Sequence, residues 1–283
     1  MDPEEACLSN CELFGKSAEY FDAQVVPLWQ GVYEALVSRS RATPGARVLD
    51  IGTGTGEVAL RMSRVVGPGG TVLGIDTIDE MLTIARRKAG AAGSLKFENM
   101  SAEKLSLPDS SFNVVVGNYS LCCFMDYPAA LRECLRVLKP GGRMTYNHSG
   151  LGDPPQYEKL SEVFEKYQTK APTEKLAKIR ESDELQNDAV EKYRDPAVAL
   201  ALMKGLGYKG PGASLTERIV RYKDSQSFIE RMLSFDWRNE AAEINPRELD
   251  RFRSEALDAL SAFPNGQDFQ IRDSMVFFTG LKP

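Results

Sequence analysis

The sequence predicts an α/β protein: a doubly wound, mostly parallel sheet with a helical cap insertion late in the chain. Three observations carry that reading. Short apolar runs of strand length alternate with amphipathic segments of helix length between residues 46 and 148, the pattern that covers both faces of a parallel sheet with helices. Two of the runs end in an acid, Asp50 and Asp76, and the first opens into a turn with Gly52, Gly54 and Gly56. Beyond residue 152 the chain becomes charged and helical, with no glycine between Asp153 and Met203.

In order, residues 1–24 are polar with Phe14, Tyr20 and Phe21 interleaved, and Val25, Val26, Leu28 and Trp29 lead into a helix ending near Ser40. Thr43-Pro44-Gly45 breaks that helix, as proline and glycine do. Then come strand 46–51, helix 56–66, a Gly-Pro-Gly-Gly turn, strand 71–76 and helix 78–90. Thr77-Ile78-Asp79-Glu80 has the form of a capping box for the second helix, with Ile78, Met81, Leu82 and Ala85 at helical spacing. Strands 95–99 and 112–117, helix 127–138, a turn at 140–142 and strand 143–148 complete the alternation.

Asp153-Pro154-Pro155 reads as a helix-starting turn, with proline at early helical positions. Helical segments 156–169 and 173–193 form the expected cap, and Asp195 to Gly205 is a further helix. Ser214 to Tyr222 is the next strand, followed by helices 225–235 and 247–263. The last helix is expected to start from Asn245-Pro246-Arg247-Glu248 and carries Leu249, Phe252, Ala256, Leu260 and Phe263 on one stripe. Ser274 to Leu281 closes the chain as a strand.

The glycine turn is built for contact, because a residue without Cβ lets a ligand approach the backbone; a purely structural tight turn is the bland alternative. A dinucleotide fingerprint has its third glycine where Glu57 stands, and that charge is expected to disfavour phosphates and a nicotinamide-dependent oxidoreductase. Asp50 suits a ligand carrying an ammonium group. Asp76 lies about 20 residues after Gly56, the spacing at which an acid reaches ribose hydroxyls. Ligands of open α/β sheets bind beyond the carboxyl ends of the strands, so Asp50 to Gly56, Asp76, Ser101 to Glu103, Asn118 to Ser120 and His148 should face one crevice.

Val48 to Val58, Thr71 to Asp76, Leu105 to Val116 and Arg132 to Tyr146, in that order, resemble the class I S-adenosylmethionine-dependent methyltransferases. The resemblance is to the ubiquinone/menaquinone-biosynthesis-type (type 11) small-molecule branch, and is densest over residues 44–149. It implies a Rossmann-like, seven-stranded sheet whose last strand, 274–281, is antiparallel. It also implies S-adenosyl-L-methionine as cofactor, held by Asp50, Gly52, Thr53, Gly54 and Gly56, then Asp76, Thr77 and Met81, then Ser101, Ala102 and Glu103, then Asn118, Tyr119 and Ser120. Ser101 stands where the family usually carries an aspartate that contacts the adenine amino group; its hydroxyl can still accept from that group. In the family the N-terminal segment folds over the cofactor pocket; alternatively these aromatics pack a helix onto the sheet edge. The implied organisation is an N-terminal helical segment (1–42), a cofactor-binding core (43–152), a cap (153–193) and a C-terminal part of the core (194–283).

Thirty-five basic residues against 40 acidic ones give a net charge of -5, with no basic run suited to a phosphate backbone, so nucleic acid is not an expected partner. The prolines that follow the fourth strand in amino-directed DNA methyltransferases are missing after Asn118. No apolar stretch approaches the ~20 residues of a membrane span, and the start, Met-Asp-Pro-Glu-Glu, is acidic, so no membrane association and a cytoplasmic location are expected. Cys7, Cys11, Cys122, Cys123 and Cys134 lack a zinc spacing and the chain has one histidine, so free thiols and no metal are expected.

The expected activity is methyl transfer to a small, partly apolar molecule, a matter of lining up acceptor and methyl carbon and excluding water. An acceptor that must lose a proton needs a base, and His148 is the candidate, with Tyr20 and Tyr119 behind it. The alternative is a non-catalytic cofactor- or partner-binding module that kept the fold. Neither the acceptor nor the oligomeric state is readable from these residues.

Overall fold

The computed structural model describes residues 14–90, 93–121, 126–174, 176–178, 180–181, 192–241, 244–264 and 269–283. Cys7, Cys11, Cys122, Cys123 and residues 182–191 of the expected cap helix lie outside them. The chain forms two compact units. The first comprises residues 1–150, 182–216 and 275–283, the second 151–181 and 217–274.

In the first unit, a short helical run from Ala18 through Trp29 leads into α1 (Gln30–Ser40). Then follow β1 (Arg47–Ile51), α2 (Glu57–Val66), β2 (Thr71–Asp76), α3 (Asp79–Ala89), β3 (Leu95–Asn99), β4 (Phe112–Asn118), α4 (Tyr127–Val137) and β5 (Leu138–Ser149). The second unit holds α5 (Pro155–Tyr167); α6 (Pro196–Leu206) returns to the first. The chain passes between units inside β6 (Lys209–Tyr222) and again inside β7 (Phe269–Leu281), with α7 (Ser225–Arg231) and α8 (Leu249–Leu260) in between.

The seven-stranded sheet has the order β3-β2-β1-β4-β5-β7-β6. Strands β1 to β5 are parallel and β7 runs antiparallel to β5, from Arg143 opposite Leu281 to Ser149 opposite Met275. Alternation along each strand feeds two cores. Val48, Val72, Val114, Val116 and Phe277 face α1, α2 and α3 through Leu36, Met62 and Leu82, whereas Leu49, Ile75, Val115, Met144 and Phe278 face α4 and α6 through Leu131 and Met203. This double burial is why the strands read as near-continuous apolar runs. The second unit has its own aromatic core, in which Phe164 lies 5.8 Å from Phe252 and Phe228 5.6 Å from Phe269.

Several details differ from the sequence expectations, among them β5, which starts at Leu138 and runs through the expected turn at 140–142. β6 starts at Lys209, five residues before Ser214: Gly210, Pro211 and Gly212 look like a turn, yet an edge strand tolerates proline because its outer N–H groups need no partner. β7 likewise starts at Phe269, five residues before Ser274. α8 is capped at Glu248, not Asn245, because the Asn245 side chain accepts from Arg247 N at 3.0 Å and its carbonyl from Glu248 N at 2.8 Å, making a turn of 246–248. The Thr77–Glu80 capping box does not form. Ile78 is the N-cap of α3, and the Asp76 carboxylate accepts its N–H at 3.1 Å.

Candidate functional site

The register pairs Asp50 with Gly74 and Ile51 with Ile75, so the tips of β1 and β2, and with them Asp50 and Asp76, lie side by side. Between them runs the glycine turn. Thr53 N donates to Ile75 O at 2.9 Å, tying the turn to β2, and Gly54 N donates to Asp76 Oδ2 at 2.8 Å. Thr53 Oγ1 donates to Asp50 Oδ2 at 2.6 Å. Gly52 has φ +60 and a Cβ there would lie 2.4 Å from Ser120 Cβ, so glycine is what lets the β4 tip close against the turn. Gly56, with φ +87, is the N-cap of α2 and packs on Ala85 and Phe97 beneath the turn.

Asp50 is buried and Asp76 half-buried, and neither has a cationic partner among the described residues. Burial pushes the Asp50 carboxyl up to about 7, against the Thr53 hydroxyl and Ala59 amide that hold it down; the neighbouring Asp76 raises it further. Burial likewise raises Asp76, opposed by the amides of Gly54, Ile78 and Thr77. Glu57 is different. Burial raises it, but Lys88 and Arg61 more than offset that and hold it below the usual carboxylate range. Its charge is therefore spent on two cations, one of them 31 residues away, which removes the expected repulsion of phosphates.

Phe21, Tyr33, Asp50, Gly52, Thr53, Gly54, Thr55 and Asn118 surround a cavity of ≈50 Å³ together with Glu57 and Val58. Phe21 reaches the turn: its ring edge lies 3.9 Å from where a Gly54 Cβ would stand. Phe21 both lines this cavity and packs against the core, so it has features of both readings of the N-terminal aromatics. Tyr33, Glu57 and Val58 were not among the expected site residues, and Thr55 fell inside the expected Asp50 to Gly56 stretch without being named as a contact. Thr55 carried a signal, a hydroxyl between two glycines of the turn, and its Oγ1 is buried with no hydrogen-bond partner, as is Ser120 Oγ. Met81 is buried with Ala18 and Ile84, against Phe14 and Phe21.

Of the ends of β3 and β4 only Asn118 lines this cavity, although Ser120 closes against Gly52 at its edge. Ala102 is core, Ser101 Oγ accepts from Glu103 N at 3.2 Å, and Glu103 accepts from Asp126 N at 2.9 Å. Tyr119 has φ +52, a left-handed conformation unusual for a bulky residue. Asn147 holds it there, accepting from Tyr119 N at 2.8 Å while donating to Asn118 Oδ1 at 2.8 Å. The Tyr119 ring stands edge-on to Trp29 at 4.6 Å and stacks on His148 at 6.1 Å. His148 lies within β5, 1% exposed, with Nδ1 3.1 Å from Ser149 Oγ. Tyr20 is in the short helical run near the N-terminus. Among the described residues no three His, Cys, Asp or Glu side chains are grouped to hold a metal, and no helix is long and apolar enough to cross a membrane.

Comparison with known proteins agrees with this geometry. Residues 49–146 match the methyltransferase domain family. The ubiquinone/menaquinone biosynthesis C-methyltransferase of Vibrio campbellii is 30% identical over 216 residues, 73% of this chain and 82% of that protein. Its counterpart in Vibrio vulnificus is 37% identical over 131 residues, 45% of this chain and 49% of the relative, so the chain spans about half the length of that relative. Among solved structures, phosphoethanolamine N-methyltransferase 2 of Haemonchus contortus, in complex with S-adenosyl-L-methionine, has a TM-score of 0.51 at 19% identity, covering 89% of this chain and 52% of that one. The YcgJ protein of Bacillus subtilis has a TM-score of 0.54 at 19% identity, covering 89% and 98%. At such identity the structural likeness is one of fold.

Proposed function

Since the chain belongs to the methyltransferase-domain family, in the branch of the ubiquinone/menaquinone-biosynthesis C-methyltransferases, we propose that it transfers a methyl group from S-adenosylmethionine to a small, partly apolar acceptor. One observation of the chain itself carries this: two carboxylates without cations, one buried and one half-buried, at neighbouring strand tips, on either side of a turn that needs glycine. A buried carboxylate of this kind favours a ligand that brings positive charge or hydroxyl donors.

The donor set fits the cofactor. Asp50 would take the ammonium of its amino-acid end. Asp76, oriented by the amides of Gly54, Ile78 and Thr77, would take a ribose hydroxyl with its remaining acceptor capacity. The unpartnered hydroxyls of Thr55 and Ser120 are further polar groups at the turn. The cavity of ≈50 Å³ is too small for a whole nucleoside, so binding the cofactor requires it to widen. When bound, the cofactor supplies a methyl group already activated on a sulfonium.

The residues of the chain then have to place the acceptor and keep water out. Tyr119, strained and wedged between Trp29 and His148, supplies an aromatic wall beside the strand tips, suited to a partly apolar acceptor. For an acceptor that must lose a proton, His148, buried at the end of β5 against the Tyr119 ring, would be the base. The second unit, residues 151–181 and 217–274, takes in most of the expected cap. The net charge of -5 supports a small molecule over nucleic acid.

Titration calorimetry with S-adenosylmethionine and with its demethylated product tests the reading. Both are expected to bind, and Asp76→Ala should weaken binding by about 1.5–3 kcal/mol, roughly 10- to 150-fold. Absence of binding by either compound, or unchanged affinity in the variant, would remove the assignment.

A further inference from the structure

The first unit has a second and larger cleft, ≈430 Å³, at the opposite end of the strands. Its walls are the C-terminal end of α1 at Ser40 and Arg41, the approach to β1 at Ala46, the start of β4 at Asn113, and the Lys139 to Arg143 turn of β5. Five residues of β1 separate it from the glycine turn, about 15 Å of strand. It is thus independent of the cofactor pocket and of the reading given to that pocket.

Three cations, Arg41, Lys139 and Arg143, line this cleft and no carboxylate does. Among the described residues the Arg41 and Arg143 side chains make no hydrogen bond or ion pair, and Lys139 reaches only Asn113 Oδ1 at 3.4 Å. Some other cations of the unit are paired with acids, although among the described residues Arg47, Arg64, Lys96 and Lys104 are not. Arg87 is paired with Glu19, Arg136 with Asp109 and Glu133, Arg61 with Glu57, and Lys88 with Asp22 and Glu57. Acids outnumber bases in the whole chain, so carboxylates are not scarce; they are kept away from this cleft.

Two further features point the same way. Arg41 terminates α1 in the left-handed region, φ 52, a conformation that costs a residue with Cβ about 1 kcal/mol and that glycine or asparagine would adopt with less strain. The chain carries a guanidinium there nonetheless. Arg143 is half-buried, and burial together with the charge of Arg41 lowers its affinity for its proton. Two like charges facing one partly dry space without a counter-charge are an electrostatic deficit that a bound anion would cancel.

We propose that this cleft binds a phosphate-bearing ligand, held by the forks of Arg41 and Arg143 with Lys139 as an added point charge. Guanidinium groups match phosphate oxygens in pairs, whereas an ammonium adds charge without that geometry. The volume suits a small phosphate ester or the headgroup of an anionic lipid, and the two sources share the same chemistry at the arginines.

The test uses the full chain, inorganic pyrophosphate as soluble probe in titration calorimetry, and flotation with phosphatidic-acid vesicles as the membrane arm. Variants are Arg143→Gln alone and combined with Arg41→Asn, which tolerates the left-handed backbone. Wild-type protein should bind at least one probe, and the double variant should lose about tenfold or more in affinity. Its unfolding midpoint and its affinity for the cofactor should stay the same. Binding of pyrophosphate supports a soluble ester, and binding of vesicles alone supports a headgroup. Should the double variant not fold, Arg143→Lys replaces it, expected to weaken binding by keeping the charge and losing the fork. Failure to bind either probe, or equal binding by wild type and variant, overturns the proposal.

Discussion

Replacing Asp50 by asparagine should move stability and cofactor affinity in opposite directions. Asp50 is 1% exposed, its carboxyl sits at about 7 instead of 3.8, and burial is the main cause. Between those two values the folded chain holds a proton that the unfolded chain has released. Stability from this group is therefore fully present below pH 3.8 and is lost as pH rises through about 7, by about 4 kcal/mol. Asparagine has the same shape, can still accept from the Thr53 hydroxyl, and carries no charge to bury. At about pH 8 the cofactor-free variant should be more stable by up to about 4 kcal/mol, less any loss in the weakened Thr53 bond. The ammonium of the cofactor would at the same time lose its counter-charge, which costs about 2–4 kcal/mol, roughly 30- to 1,000-fold in affinity. Urea unfolding and calorimetry on the same preparations measure both. In wild type, affinity should climb with pH up to about 7 and then level, because Asp50 must be ionised to face an ammonium; in the variant that climb should vanish. A variant that loses stability while binding the cofactor as well as wild type would refute the reasoning.

Two more outcomes follow from the turn and the β4 tip. Gly52→Ala places a methyl 2.4 Å from Ser120 Cβ at φ +60 and should cost about 2–4 kcal/mol in urea unfolding, whereas Gly54→Ala, whose nearest neighbour is Phe21 at 3.9 Å, should cost only about 1–2 kcal/mol of backbone strain. Asn147→Ala leaves Tyr119 N and Asn118 Oδ1 without their partners and should cost about 2–4 kcal/mol. With Tyr119 released from its left-handed conformation, methyl-transfer rate should fall more than cofactor affinity, as read from turnover and calorimetry.

The parallel half of the sheet was legible because each βα unit announces itself locally: an apolar run, an acid or glycine at its tip, and then helical spacing. Asp50, Asp76 and the three glycines were readable for the same reason. What escaped depended on competition at a distance. Thr77–Glu80 has the letters of a capping box, but the Asp76 carboxylate, already fixed by Gly54 N, takes the Ile78 amide first. Glu57 looks like a bare charge until Lys88 folds back on it from α3. Lys209 to Pro211 reads as a turn in isolation and is strand only because β7 lies on one side of it and no strand lies on the other. The irregular i→i+5 turns at Phe21–Val25 and Met232–Asp236 have no sequence period separable from an α-helix. The cleft at Arg41 and Arg143 was invisible because those residues are about a hundred positions apart and belong to no motif.

The place of β5 in the sheet has a consequence for biosynthesis. One flank of β5 is covered as soon as β4 has folded, but the residues that cover the other, beginning with Met275 opposite Ser149, are made 126 positions later. At ordinary rates of translation the ribosome needs about 6 to 25 s to traverse that interval. For that time Met144 and Tyr146 belong to a strand with a bare row of N–H and C=O groups, the form in which nascent chains stick to one another. A premature stop between residues 149 and 275 would make that exposure permanent, turning a core that has all its parallel strands into a seed for aggregation.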